Sequence, residues 1–517
     1  MISLAQMVEH LANRHHESGK AALIYEGESL TYRDVRAAMR AYIQVLSAHG
    51  VTKGSRVLAL MGNRVEYPIL FAALSALDAS LSPANVRFVA PEVADAVDYI
   101  RPAIFVTDRE HEGTARQALR TLPPKNRPRL LVLNGRNVAE HEDLTGQVAQ
   151  ADGVPPTGRS DPDACAYLAF TGGTTGVRKA AVIPAGNFYQ TILWLAVHLR
   201  INSDDTTLTC GSFSHTMPFY YSIAQLYCGG TVVVLPRFAG RAVLDTIARH
   251  EITWFAAVPT MYHDILDVAA DFPKTGLRSL RRYVSSGAPL LTATKNRLAQ
   301  VLGPNLYEYY GATELGWVST LEPRDQLRKT RCVGLPMPGT ELKIVGDDHV
   351  HCGNGEVGTI FTRGNILMKE YFERPQETRE VFDGDWATAG DVGYLDDEGY
   401  LHLVDRKKDL IVSGGINIYP VEIEEVLLGV PGLDEVACIG VPDARWGESV
   451  LAVCVIGNGV DSPAWEQEAR RAVEKALSSF KRPTTYEFVD SLPRSHAGKV
   501  LKRVIREKYW QGQERRI

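Results

Sequence analysis

Three things are scarce in this chain of 517 residues. Cysteine occurs 7 times, an odd number, and no two of Cys165, Cys210, Cys228, Cys332, Cys352, Cys438 and Cys454 form a C-x-x-C pair. This argues against a disulfide framework or a thiolate metal site, and for reduced, buried thiols in a cytoplasmic protein. Long apolar runs are missing as well. No stretch reaches the ~18 uninterrupted apolar residues of a membrane-spanning helix, and the most apolar windows, 68–81 and 437–456, are interrupted by Asp, Pro or Arg. Excess charge of one sign is the third absence. The 56 Lys+Arg stand against 61 Asp+Glu, a net charge of −5, which supplies no global field for nucleic acid or an anionic membrane. Neither nucleic acid nor integral membrane association is expected, and a specific small ligand is the better starting point.

The N-terminal MISLAQMVEHLANRHHESGK is amphipathic and lacks the charged and apolar regions of a secretory signal, in keeping with a cytoplasmic location. With 45% hydrophobic and 23% charged residues the chain reads as globular, and its length allows about three compact units, or one very large one with an appendage.

From residue 20 to about 400, short apolar strands alternate with helical patterns. Arg56 to Met61 reads as a buried strand, Tyr67 to Leu77 as the helix after it, and Ile104–Thr107, Leu130–Leu133, Thr231–Leu235, Trp254–Val258 and Tyr283–Ser286 repeat the strand signal. Such alternation predicts parallel sheets covered by helices, here as two α/β lobes. After about 330 the texture changes to closely spaced strands and glycine turns, in GTELKIVGDD, GEVGTIFTRG and GYLHLVDRKKDLIVSGG, which read as antiparallel hairpins. The last hundred or so residues mix strand (VACIGVPD, SVLAVCVIG) and helix (463–478) again. The charged run 405–409 between apolar strands is read as a boundary, or as a hairpin turn within one domain.

The sharpest local signal follows the apolar strand 167–170: Thr171, Gly172, Gly173, Thr174, Thr175, Gly176, Val177, Arg178, Lys179. Glycines let a backbone approach an anion closely, threonines add hydroxyl donors, and Lys179 adds positive charge, which is phosphate-cradling chemistry. It is not a Walker A loop, because Arg178 precedes the lysine and Ala180 follows it.

TGGTTGVRK resembles the phosphate loop of the adenylate-forming superfamily, which includes acyl-CoA synthetases, aryl-CoA ligases, adenylation domains and firefly-type luciferases. The family's other motifs follow in order: Tyr310-Gly311-Ala312-Thr313-Glu314 (YGxTE), Thr388-Ala389-Gly390-Asp391-Val392-Gly393 (TGDxG with an alanine inserted), Asp405-Arg406-Lys407-Lys408-Asp409 (DRxKD), Gly414-Gly415-Ile416-Asn417-Ile418-Tyr419-Pro420 with Glu422 (GGxNIxPxE), and Pro493-Arg494-Ser495-His496-Ala497-Gly498-Lys499 (PRTxxGK). The resemblance covers essentially the whole chain and is strongest to bacterial acyl-CoA synthetases. It implies an α/β fold: an N-terminal domain over 1–404, of two α/β lobes and a β-rich subdomain, a hinge at 405–409, and a small mobile α+β C-terminal domain over 410–517.

The resemblance further implies attack of a carboxylate on the α-phosphate of ATP, where cationic and N–H donors must neutralise spreading charge. Residues 171–179 then cradle the β/γ phosphates. Glu314 is the candidate Mg²⁺ ligand, since magnesium is usually held by one carboxylate plus phosphate oxygens. Asp391 suits the ribose hydroxyls, with Arg406 assisting; Gly287, Ala288 and Pro289 resemble the adenine-lining segment, with Tyr310 as its aromatic. Lys499, which composition alone reads as part of a solvated basic tail, becomes the candidate catalytic lysine bridging carboxylate and α-phosphate. The implied second half-reaction turns the C-terminal domain at Lys408, so that a pantetheine thiol passes along Gly414 and Gly415 to the acyl-adenylate. Ser212-Phe213-Ser214-His215-Thr216-Met217-Pro218 aligns with the family segment bordering the acid, so His215 is a wall or gate there, or a hydrogen-bonded structural histidine. Phe219, Tyr220 and Tyr221 make that neighbourhood aromatic, and Trp317 is a candidate pocket floor favouring a short or planar acid. No Asp is placed to bind an α-amino group.

Several positions depart from the family. Gly172 replaces the usual Ser or Thr, Arg178 the usual Pro and Ala180 the usual Gly, while Pro184-Ala185 stand where Thr-His is common. A lost hydroxyl weakens a phosphate contact by roughly 1 kcal/mol, which Arg178 offsets if it turns inward. The expected activity is an AMP-forming acid–thiol ligase using ATP, Mg²⁺ and coenzyme A on a fatty or aryl acid. The alternatives are loading of a pantetheinylated carrier protein or another nucleophile, and a nucleotide-binding pseudoenzyme. A monomer or homodimer is expected.

Overall fold

The computed structural model describes residues 1–135, 142–171, 179–288, 290, 292–329, 332–346, 348–406, 409–413, 416–443, 445–494 and 500–511, without the side chains of Lys274, Asp405, Arg406 and Asn417. The chain forms two compact units, Met1–Glu341 with Arg363–Ala387, and Leu342–Thr362 with Thr388–Ile517.

The first unit holds two sheets of the expected α/β kind. One runs, edge to edge, Glu370–Tyr371, Lys179–Pro184, Cys165–Thr171, Ser80–Pro83, Arg56–Leu60, Ile104–Asp108, Arg129–Leu133, Glu142–Asp143. The strands from Cys165–Thr171 onward in that order are parallel, and the first two are antiparallel. Its central strands are apolar without alternation, as strands covered on both faces must be. Helix Glu66–Ala76 is buried from Tyr67 through Ser75, so it lies in the interior and has no solvent face. Strand Arg56–Leu60 has Ser80–Pro83 on one side and Ile104–Asp108 on the other. Chain connections therefore leave in opposite directions at this point, opening a crevice at the carboxyl ends of the two strands.

In the second sheet, Ala21–Tyr25, Thr231–Val234, Thr206–Thr209, Trp254–Ala257, Arg282–Ser286 and Leu306–Ala312 are parallel neighbours. Antiparallel strands Gly316–Leu321 and Cys332–Pro336 extend it. Trp254 is fully buried and its indole N–H donates to Gln225 Oε1 at 2.6 Å, which satisfies the one polar atom of a large core side chain.

In the second unit, Leu401–Arg406 pairs antiparallel with Asp391–Leu395 ahead of it, not with Ile411–Ser413 as a hairpin within GYLHLVDRKKDLIVSGG would require. Gly358 and Thr359 pair antiparallel with Asp391–Leu395. The run 405–409 begins at the end of Leu401–Arg406; residues 407 and 408 lie outside the described residues. Beyond it, Ile416–Ile418, Ile411–Ser413, Gly447–Ile456 and Leu433–Asp443 form an antiparallel sheet, with Thr485–Phe488 parallel to Gly447–Ile456. Ile423 and Leu427 of helix Pro420–Leu428 and Trp465 and Ala469 of helix Ser462–Ala476 share a core with this sheet. Among the described residues, no helix is long and apolar enough to cross a membrane.

A buried ion pair lies one residue pair below Tyr310. Lys295, on helix Thr292–Leu302, donates to Glu308 Oε1 at 2.8 Å, and both residues are buried. Burial pushes the Glu308 carboxyl above its usual range, against the pull of Lys295. Breaking such a pair strands a buried charge, whereas replacing both partners by apolar groups does not. Lys295→Met and Glu308→Leu are each expected to lower the unfolding free energy by about 3–5 kcal/mol, and the double substitution by less than either, in denaturant titrations.

Candidate active site

The hairpin that carries the glycine-threonine loop closes on the pair Thr171–Lys179. Gly172, Gly173, Thr174, Thr175 and Gly176 lie outside the described residues, as do Pro289, Gly414, Gly415 and Lys499, and the side chain of Arg406. What can be placed is the frame of the loop. Cys165–Thr171 is parallel to Ser80–Pro83, so Thr171 ends at the carboxyl edge where open α/β sheets bind ligands. Ala180, where the family has glycine, is fully buried among Leu168, Val182 and Phe105, so its methyl packs in the core of this sheet. Pro184 is the residue that precedes helix Ala185–His198, and its extended backbone starts that helix.

Tyr371 joins this hairpin to Glu314, a link that sequence reasoning missed. It pairs with Ala181 on the edge strand Glu370–Tyr371. The Lys179 ammonium lies 5.0 Å from the centre of its ring, and its hydroxyl donates to Glu314 Oε1 at 2.6 Å. Burial, and then the Glu314 charge, hold the Tyr371 phenol well above its usual pKa, so it remains a donor. The only sequence signal was an aromatic in KEYF just ahead of a Pro-initiated helix, which carries no motif.

Glu314 stands in the turn between Leu306–Ala312 and Gly316–Leu321, and its carbonyl accepts from Met368 N at 2.8 Å. The turn is tight. A Cβ on Gly311 would meet the Gly316 carbonyl at 2.1 Å, and Gly316 itself has φ +68°. The glycine of YGATE is thus required by backbone crowding in the strand pair. Thr313 occupies the same turn, half-buried, and Tyr310 is buried just before it. Gly287 and Ala288 are exposed one step beyond the parallel pair Ser286–Tyr309, which sets them beside Tyr310 at the carboxyl ends of adjacent strands. Among the described residues, no three His, Cys, Asp or Glu side chains cluster to hold a metal. A half-buried single carboxylate fits Mg²⁺, which takes few protein ligands and keeps water or phosphate oxygens for the rest.

His215 precedes helix Thr216–Tyr227 with extended backbone, and its N–H donates to Ser212 O at 3.0 Å. The aromatic residues after it are core: Phe219 packs on Phe71 and Tyr167, and Tyr220 lies 4.9 Å from Trp317. The Trp317 indole N–H donates to the Tyr221 hydroxyl at 3.1 Å. A second residue missed by sequence reasoning is Asn63, in the loop after Arg56–Leu60. It is buried and reaches the backbone of 211–213. Beside it, Asp108 Oδ2 accepts from Gly62 N at 2.8 Å and Oδ1 pairs with the His111 ring at 2.7 Å.

In the second unit, Asp391 is buried at the start of its strand, opposite Arg406 in register. Gly390 before it has φ +75°, and its N–H donates to Thr388 Oγ1 at 3.0 Å, a local cap that fixes the approach to Asp391.

Residues 8–372 match the family model described as AMP-binding enzyme, and 422–499 match AMP-binding enzyme C-terminal domain. The chain is 31% identical to a long-chain-fatty-acid–CoA ligase of Mycobacterium tuberculosis over 93% of each chain. It is 32% identical to a feruloyl-CoA synthase of Amycolatopsis sp, covering 94% of this chain and 96% of the other. An ATP-bound MatB structure from Rhodopseudomonas palustris superimposes with a TM-score of 0.87 at 30% identity, over 98% of this chain and 99% of that one.

Burial works to raise the Asp108 pKa, but the His111 ring and the N–H groups of Gly62 and His111 outweigh it, and the net shift is downward. Stability from this group is present above the unfolded carboxyl pKa, about 3.9, and is lost as pH falls through the lower folded value. Asp108→Asn is expected to be less stable than wild type near neutrality, with the gap closing below about pH 4 in pH-dependent denaturation.

Proposed function

The chain belongs to the AMP-binding enzyme family, and on that premise we propose that it is an ATP-dependent carboxylate–CoA ligase. It activates a fatty or aryl acid as acyl-adenylate with release of pyrophosphate, then transfers the acyl group to the thiol of coenzyme A with release of AMP. The observation that carries this reading is the set Lys179, Tyr371 and Glu314 beside the loop that begins at Thr171. A cation, a neutral donor and an anion next to a glycine-threonine loop suit a triphosphate and its counterion better than a purely apolar ligand.

Adenylation brings two anions together, so the barrier falls only if charge on the transferring phosphoryl group is met in the transition state. Glu314 would hold magnesium, which supplies positive charge to the phosphate oxygens. Lys179 and the backbone N–H groups of 171–179 neutralise the departing pyrophosphate. Tyr371 keeps Glu314 in one orientation and, being neutral, adds no charge of its own. Gly287, Ala288 and Pro289 with Tyr310 line the adenine, and Asp391 with Arg406 takes the ribose. Lys499 bridges carboxylate and α-phosphate, following the moving charge with a long flexible ammonium. For the second half-reaction the segment after 409 turns at Lys408, and Gly414 and Gly415 give the pantetheine arm a close backbone to lie along. His215 borders the acid, and Trp317, held against Tyr220 and by Tyr221, sets the depth available to it. The enzyme works in the cytoplasm, where ATP and coenzyme A are available.

A panel of fatty and aryl acids in the exchange of labelled pyrophosphate into ATP tests the first half-reaction. Exchange dependent on one acid class is expected, and none with any acid would sink the enzyme reading. Product analysis with coenzyme A against a pantetheinylated carrier protein identifies the acceptor. Lys499→Ala is expected to abolish exchange while thioester formation from supplied acyl-adenylate largely persists; equal loss of both would refute its assignment to the first half-reaction. Tyr371→Phe keeps the ring under Lys179 but frees Glu314, so the KM for magnesium–ATP should rise about tenfold with the KM for the acid unchanged.

A further inference from the structure

We infer that Asn63 is a positioning residue for the acid-binding side of the site, holding the 211–215 loop in place from the other sheet. This rests on the reading that His215 borders the acid.

Asn63 lies in the loop that leaves the carboxyl end of Arg56–Leu60, at the crevice of the first sheet. Its side chain crosses to the second sheet. Nδ2 donates to Gly211 O at 2.8 Å and to Leu235 O at 3.1 Å, while Oδ1 accepts from Phe213 N at 2.9 Å. One buried amide thus satisfies backbone groups of two separate segments, the loop ahead of His215 and the end of strand Thr231–Val234. An Asn suits this task because a single planar group offers two donors and an acceptor; an aliphatic side chain would leave buried backbone groups unpaired.

The anchor is itself fixed. Gly62 N donates to Asp108, whose other oxygen meets the His111 ring. On the receiving side the loop has little freedom. A Cβ on Gly211 would meet Pro218 at 2.7 Å, and Phe213 is fully buried, 5.5 Å from Tyr67 on the helix that follows Asn63. Two residues after Phe213 the chain reaches His215, and there helix Thr216–Tyr227 begins. Among the described residues, the Asn63 side chain bonds to Gly211, Phe213 and Leu235, whereas Thr171 and Lys179 pair on their own ladder and Tyr371 bonds to Glu314. Its loss should therefore fall on the acid and spare the nucleotide.

The test is steady-state pyrophosphate exchange of the full-length enzyme with Asn63→Ala and Asn63→Asp. The aspartate keeps the acceptor for Phe213 N but faces the carbonyls of Gly211 and Leu235 with negative charge. The expected result is a KM for the acid raised tenfold or more, with the KM for ATP within twofold of wild type, and a larger effect for Asp than its shape suggests. A parallel rise in both KM values, or no change in either, overturns the inference. If neither variant folds, Asn63 is a stability element of the sheet junction and the positioning role is refuted. Absence of exchange in the wild type would strike the underlying reading instead, so the two failures are separable.

Discussion

The hydrogen bond from the Tyr371 hydroxyl to Glu314 connects pieces of chain that no local rule would bring together. Tyr371 sits on the edge of the first sheet and Glu314 in a turn of the second, so the contact spans the junction of the two layers. A neutral donor to a carboxylate contributes roughly 1.5–3 kcal/mol and an ammonium over an aromatic face about 0.5–2 kcal/mol. Both are small beside the whole stability of a fold, yet they set the orientation of Glu314 and the height of Lys179 at the loop. A phenol suits this position because it orders the carboxylate without neutralising it. A lysine or arginine there would instead pair with the carboxylate and cancel its charge.

Aromatic side chains from both layers also meet at the junction. Phe71 and Tyr167 from the first sheet and its helix meet Phe219 of the helix after His215, and Phe188 touches the same rings. All are fully buried, and each aromatic pair adds about 0.5–1.5 kcal/mol beyond its burial. The layers are therefore glued by apolar area in the middle and registered by polar contacts, Asn63 and Tyr371, nearer the strand ends. The division has a physical reason. Apolar packing is strong but nearly indifferent to small slides, whereas hydrogen bonds to fixed backbone groups are not.

Much of this was legible in the chain. The central strands read correctly because continuous apolar runs of this length belong to strands covered on both faces, and the change to hairpins after 330 followed the glycine turns. YGATE was legible as a unit, and its Gly311 proved to be dictated by the Gly316 carbonyl. Tyr371 and Asn63 were not legible, since an isolated tyrosine or asparagine has no spacing to betray it. Phe219, Tyr220 and Tyr221 were read as making the neighbourhood of His215 aromatic, and their rings are buried in the first unit. An aromatic run on a buried helix has the same composition whether it lines a pocket or fills a core.

The sequence by itself determined the class of the protein: ordered motifs for anion binding, and alternating strands and helices. These are properties of residue type and spacing, which survive without a third dimension. Only the tertiary structure decided how Glu314 is held, what lies under Lys179, and what anchors the loop before His215. Each of those depends on side chains from separate layers meeting within hydrogen-bond reach, and such a meeting is set by packing, which no one-dimensional pattern records.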